Sequence, residues 1–239
     1  MPKGLDGRLV YTPDSEIDAL EIAEQLFQQM QSETQPIFPA MAEQIVAGII
    51  IYFMRRYWDG NQEQLNNKEL IRFFQSKTTE ELKAIFQEEF MEDQRSCVSY
   101  ISGNGNQTQG VNSYIGSVLR KMFVGPFAEA DTDREFSMMH MVNGNQKKVV
   151  FIEYDLKRGN ALAPMYGILI DQVLKHALGG RQDVRKNVYM LLDEWALLPK
   201  LRHAANSLSF GRSQGVKVMA GIQNISAIEE LYGEAGAKN

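Results

Sequence analysis

Cysteine is almost missing: Cys97 is the only one in 239 residues. That excludes an internal disulfide, and with only three histidines the chain has no Cys/His cluster at metal-ligand spacing. A reducing, cytoplasmic setting is the default expectation. Basic charge is also in deficit. Against 25 Lys and Arg stand 30 Asp and Glu, a net charge of -5, which argues against a broad cationic face that binds nucleic acid by itself while leaving room for a local basic patch. Long apolar runs are lacking. The most apolar stretch, IVAGIIIYFM at 45–54, has ten residues before Arg55 and Arg56, which is short for a bilayer and reads as a buried helix. The amino-terminal MPKGLDGRLVYTP has no basic segment leading into an apolar one, so it reads as no secretory signal, and the chain as given is expected to be soluble. No internal repeat or low-complexity linker is visible. The sequence also contains no G-x-x-x-x-G-K-[ST], the loop that usually cradles phosphates.

What is present suits a globular chain: 44% hydrophobic and 23% charged residues, enough for one large domain or two smaller ones. Residues 1–143 read as mainly all-α, with a helical core over about 14–123. Ser15 and Asp18 open a first helix carrying Ile17, Leu20, Leu26, Phe27 and Met30. Pro36 and Pro39 precede a second, with Met41, Ile45, Ile49, Tyr52 and Phe53 inward. Asn66 with Glu69, and Thr78 with Glu81, have cap spacing before ELIRFF and ELKAIF. SGNGNQTQG at 102–110 reads as a loop leading into a last helix with Val111, Ile115, Val118, Leu119 and Met122.

From Gly144 the texture changes. VVFIEYDL at 149–156, VYMLLD at 188–193 and VKVMAGIQ at 216–223 read as strands, and residues 161–180 as a helix ending in glycines. Pro199 to Gly215 reads as a second helix with Leu201, Ala205 and Leu208 on its apolar face, and Ser226 starts a closing turn. Strand–helix alternation implies parallel pairing, and near-continuous apolar strands imply a sheet covered on both faces. The expected class is therefore α/β over 144–239 with an N-terminal all-α domain. Three strands are few for a covered parallel sheet, so further strands or another element are expected beside them.

The run NVYMLLDEWALL at 187–198 delivers an apolar strand into Asp193 and Glu194. This is how the Walker B element of a P-loop ATPase is built: Asp193 would enter a magnesium shell and Glu194 would polarise the attacking water. An acidic pair that merely caps a strand and opens a loop looks the same. Arg212, in FGRSQG, has two readings: a guanidinium reaching a neighbouring subunit's phosphate, or a helix-end arginine on the dipole. Gln223 ends the third expected strand at the same sheet edge as Asp193, placed to sense phosphate or orient water, or simply to bond loop backbone. Asp155 reads as a turn residue, Trp195 as a hydrophobic anchor, and Met138, Met139 and Met141 as core filling. His140, His176 and His203 have no partner pattern that suggests catalysis.

Together VFIEYDL, VYMLLDEWALLPKL, FGRSQGVKVMAGIQN and ISAIEELYG resemble the conjugative coupling proteins of type IV secretion, the TraG/TraD family, strongly over 149–233. The helical half resembles, more weakly, the all-α domain that this family inserts into its ATPase domain. The resemblance implies a RecA-like, homo-hexameric, DNA-pumping ATPase at the cytoplasmic face of the bacterial membrane, linking relaxosome proteins and DNA to the secretion channel. It implies Asp193 and Glu194 as the Walker B acids, with magnesium held by Asp193 through water, Arg212 as the trans-acting arginine and Gln223 as the sensing glutamine. ATP and magnesium are the implied cofactors of the parent protein. The family's Walker A loop and transmembrane helices lie upstream of the matched region. The chain therefore reads as a fragment, expected to bind no nucleotide tightly and to be inactive alone. Two alternatives stand beside it: a non-catalytic interaction module, and a RecA-like DNA translocase of the FtsK/HerA kind.

Overall fold

The computed structural model describes residues 9–30, 36–58, 60, 66–103, 105–129, 136–144, 147–179 and 187–237. The chain forms two compact units, Met1–Glu135 and Phe136–Asn239.

The first unit is helical: α1 (Pro13–Phe27), α2 (Ile37–Trp58), α3 (Asn67–Ser76), α4 (Thr79–Phe86), α5 (Cys97–Ile101) and α6 (Gly105–Met122). α2 is its centre. Ala42, Ile45, Val46, Ala47, Ile49, Ile51, Phe53 and Met54 are all buried, so the helix is apolar around most of its circumference and packs on α1, α5 and α6. At 22 residues it is long and apolar enough to cross a membrane by length and composition, a wider apolar element than the ten-residue run suggests. Most of that apolar window is buried inside the unit instead. Gly48 permits the close approach of α4: a Cβ there would stand 2.6 Å from the Phe86 ring.

The expected caps form. The Asn66 side chain accepts from the Glu69 N–H at 2.9 Å, and Thr78 and Glu81 bond each other's backbone N–H reciprocally. α1 starts earlier than its Ser15 signal, because Pro13 fits the first helical position and Thr12 stands before it. The SGNGNQTQG loop is also shorter than expected. α6 begins at Gly105, with Gln107 Nε2 donating to the Ser99 and Tyr100 carbonyls and the Thr108 hydroxyl to that of Ile101. These bonds satisfy carbonyls at the end of α5, so polar residues extend the helix instead of the loop. Arg55, at the end of α2, ties three segments together. It pairs with Glu16 of α1 at 2.5 Å and with Asp93 at 2.8 Å, and donates to the Phe90 carbonyl.

The second unit contains α7 (Met138–Asn143), α8 (Gly159–Gly179), β1 (Val188–Leu192), α9 (Ala204–Phe210), β2 (Val216–Ala220) and α10 (Ile225–Ala237). β1 and β2 pair in parallel, Val188 opposite Val216 and Leu192 opposite Ala220. One face of the pair rests on a core of Ile170, Leu174, Ala177, Trp195, Leu201, Ala204 and Ile228.

Three expectations are corrected here. Residues 149–156 form no strand: Val149, Phe151 and Leu156 are largely exposed, and among the described residues no neighbouring strand bonds this backbone. Instead the Asp155 carboxylate accepts from the Lys157 and Arg158 N–H groups, and Tyr154 packs on Tyr166, making a turn into α8. Among the described residues the sheet is also covered on one face only, since Tyr189, Leu191 and Met219 on the other are exposed by 65%, 74% and 71%. The helix expected from Pro199 is shorter as well, starting at Ala204; Ala204 and Ser207 face inward in place of Ala205 and Leu208, while Leu201, ahead of the helix, is buried as expected. It also ends earlier, at Phe210, and a 3-10 turn over Gly211–Gln214 carries the chain to Gly215, whose φ of 77° lies in the left-handed region.

Candidate functional site

The site begins where β1 stops. The Gly221 N–H donates to the Leu192 carbonyl at 2.7 Å, and the Gly221 carbonyl accepts from the Trp195 N–H at 3.0 Å. One residue after β2 thus clamps the chain on both sides of Asp193 and Glu194. Only glycine fits, because a Cβ on Gly221 would stand 2.1 Å from the Asp193 carbonyl oxygen. Trp195, buried as the anchor that its position suggests, meets the Tyr232 ring of α10 edge-on at 5.6 Å.

From this clamp the Asp193 side chain points to solvent, and that of Glu194 is half-buried. Gln223 Nε2 donates to Glu194 Oε2 at 2.6 Å, a charge-assisted bond that fixes where the carboxylate points. Asp193, Glu194 and Gln223 therefore lie together at the carboxyl end of the parallel pair. Arg212 does not join them. It lies in a short 3-10 turn, Gly211–Gln214, leading into β2, so it stands at the opposite end of the strands. Its side chain is exposed and makes no ion pair among the described residues.

Two positioning groups carry weak sequence signals. Asp171, buried in α8, accepts the N–H groups of Arg202 at 2.8 Å and His203 at 3.1 Å, which fixes the chain just ahead of α9. The Tyr232 hydroxyl accepts the Leu201 N–H at 2.9 Å, and burial pushes its pKa up. A lone acid inside the apolar run ILIDQVL was the available sign of Asp171. Gly221 offered none, since its need arises only where two strand ends meet.

Among the described residues no group of three or more His, Cys, Asp and Glu side chains converges to hold a metal. A single exposed carboxylate with a second acid beside it fits a magnesium ion that keeps most of its waters and shares phosphate ligands. It does not fit an all-protein metal cage.

Residues 12–239 match the family described as the type IV secretion-system coupling protein DNA-binding domain. The chain belongs to this family. Among curated proteins it is similar to VirD4 of Agrobacterium fabrum, 28% identical over 142 residues that make up 56% of this chain and 21% of VirD4. VirD4 of Rhizobium rhizogenes is 29% identical over the same shares. The fold is similar to that of the conjugative coupling protein TrwB, solved with sulphate and with ADP and Mg2+, at a TM-score of 0.73 and 19% identity. That likeness covers 96% of this chain and 51% of the solved TrwB chain, so the chain spans about half of that structure and its match about a fifth of VirD4.

Proposed function

We propose that these residues are the all-α domain and the acid-bearing half of a RecA-like ATPase domain in a DNA-transfer coupling protein. Such a protein recruits a relaxase–DNA substrate to a type IV secretion channel and drives its transfer by ATP hydrolysis. One observation carries the reading: Asp193, Glu194 and Gln223 meet at the carboxyl end of two parallel strands, where open α/β sheets receive nucleotides.

Bound Mg–ATP would supply a phosphoryl group for transfer to water. Asp193 would hold the magnesium through water, and Glu194 would take the proton of the attacking water. Gln223, already bonded to Glu194, would hold that base in register. Arg212, at the other strand end, would serve the site of a neighbouring subunit in a homo-hexamer. The 239 residues hold no phosphate-cradling lysine loop. Alone they are therefore proposed to bind ATP weakly and not to turn it over. DNA, relaxosome proteins and channel components are the proposed partners, and the parent protein is placed at the cytoplasmic side of the bacterial membrane.

The test uses a full-length coupling protein carrying these residues. Glu194→Gln is expected to stop magnesium-dependent ATP turnover and to leave nucleotide binding largely intact. Normal turnover in that variant would remove Glu194 from the reaction, and robust hydrolysis by the 239-residue chain alone would remove the proposal that it is inactive. A second reading, a non-catalytic interaction module, draws on an open groove in the first unit between Ile71 and Phe74 of α3, Leu82 of α4 and Ile115 and Leu119 of α6.

A further inference from the structure

Among the described α-helices of the first unit, α3 alone has no fully buried residue, although Leu70, Ile71, Phe73 and Phe74 give it a strongly apolar face. Phe73 meets Phe53 of α2 edge-on at 5.1 Å. Ile71 and Phe74 instead line a cavity of about 560 Å³, together with Leu82 of α4 and Ile115 and Leu119 of α6. The last three are buried and form an apolar floor. α3 is thus held along one edge and left open along the other.

Charge at this groove has one sign. Lys77 and Arg120 line it, and among the described residues no Asp or Glu does. Lys77 is already paired with Glu81 at 2.9 Å. Arg120 has no ion pair or hydrogen bond among the described residues, and its guanidinium lies over Gly116, 3.6 Å from where a Cβ would stand. In a chain of net charge -5, this is a local cation above an apolar floor.

We propose that the groove docks an amphipathic helical segment of a partner protein. Apolar side chains at i, i+3 or i+4, and i+7 would fill the cavity, and a carboxylate beside them would pair with Arg120. The cavity is of a size that holds several aliphatic side chains. A nucleic-acid strand would use the guanidinium but would set its charged backbone against the apolar floor, which gains nothing from it. This inference does not depend on the ATPase reading.

The 239-residue protein is titrated into a fluorescein-labelled amphipathic peptide with Leu at i, i+3, i+4 and i+7 and Glu elsewhere, and into its Lys-for-Glu twin. Long-range attraction to a protein of net charge -5 favours the Lys twin, so a preference for the Glu peptide isolates the local effect. Anisotropy is expected to show the Glu peptide bound roughly tenfold tighter. Arg120→Glu is expected to remove that preference, and Ile71→Ala to weaken binding several-fold. Arg120 is exposed and α3 contains no buried residue, so both variants should keep the native circular dichroism. Methyl resonances of Leu82, Ile115 and Leu119 should shift with the Glu peptide. Equal or tighter binding of the Lys twin, an unchanged preference in Arg120→Glu, or displacement of the peptide by oligothymidine would each overturn the proposal.

Discussion

The Gln223 amide and the Glu194 carboxylate meet at 2.6 Å across the carboxyl ends of β1 and β2, so each strand supplies one partner of a single hydrogen bond. Their distance is set by the backbone beneath them, where Gly221 bonds both Leu192 and Trp195. Positioning of the acid pair therefore rests on a glycine that touches no reacting group.

Gly221→Ala tests this support. The added methyl would lie 2.1 Å from the Asp193 carbonyl oxygen, too close for any side-chain adjustment to relieve. The strand ends must part, weakening both backbone bonds. A loss of about 2 kcal/mol is expected from comparable overpacking. Chemical denaturation should show it, and amide exchange should quicken at 192–195. Unchanged exchange there would refute the clamp.

Asp171→Ala leaves the Arg202 and His203 N–H groups without their carboxylate. Removing a charged acceptor from two donors is expected to cost about 2–3 kcal/mol. The mutant's unfolding midpoint in urea should fall accordingly, with the first unit's helices unaffected. Asp171→Asn keeps one acceptor oxygen and should lose less.

The first unit should weaken in acid, and the sign follows from two carboxylates. Arg55 beside Asp93 holds that carboxyl down to about 2 from an ordinary 3.8, and the Thr78 N–H, with Lys77, does the same for Glu81, to about 2 from 4.5. Both are ionised in the folded state at pH values where the unfolded chain takes up protons. Their contribution is present above about pH 4 and is lost as the pH falls towards 2. Both groups are substantially exposed, so the effect is modest. Asp93→Asn should flatten the acid limb of thermal stability between those values, while stability at pH 7 falls slightly. A limb as steep as the parent's would exclude Asp93 as a contributor.

What could be read from the residues was whatever is local. The caps at Asn66 and Thr78 follow from side chains reaching backbone three residues on, and the apolar faces of α2 and α6 follow from helical period. The acid pair was visible because an apolar strand must end somewhere polar. Features that need a second segment were not visible. Residues 149–156 have strand composition, yet a strand exists only if a neighbour bonds it, and among the described residues none does. Burial of one sheet face and exposure of Leu191 and Met219 on the other depends on which helices pack back. Asp171 and Gly221 act on segments roughly 30 residues away in sequence, a relation that no spacing rule encodes.

Arg212 gives the sharpest test of the proposed assembly. The paired strands alone run four steps, roughly 13 Å at about 3.3 Å a step, and Arg212 and Asp193 lie beyond their opposite ends. Within one chain the guanidinium therefore serves a different end of the sheet from the acids. If it completes a neighbour's site, a ring mixed equally from Arg212→Ala and Glu194→Gln subunits contains some interfaces where an intact Glu194 faces an intact Arg212. Random mixing makes these about a quarter of all interfaces. Each variant alone should be inactive in a full-length coupling protein, and the mixture should recover about a quarter of parental turnover. Arg212→Ala should leave the unfolding midpoint of the 239-residue chain unchanged, because the side chain is exposed. A mixture as inactive as its components, assembled into mixed rings by mass measurement, would show that the arginine and the acids do not act across a subunit boundary.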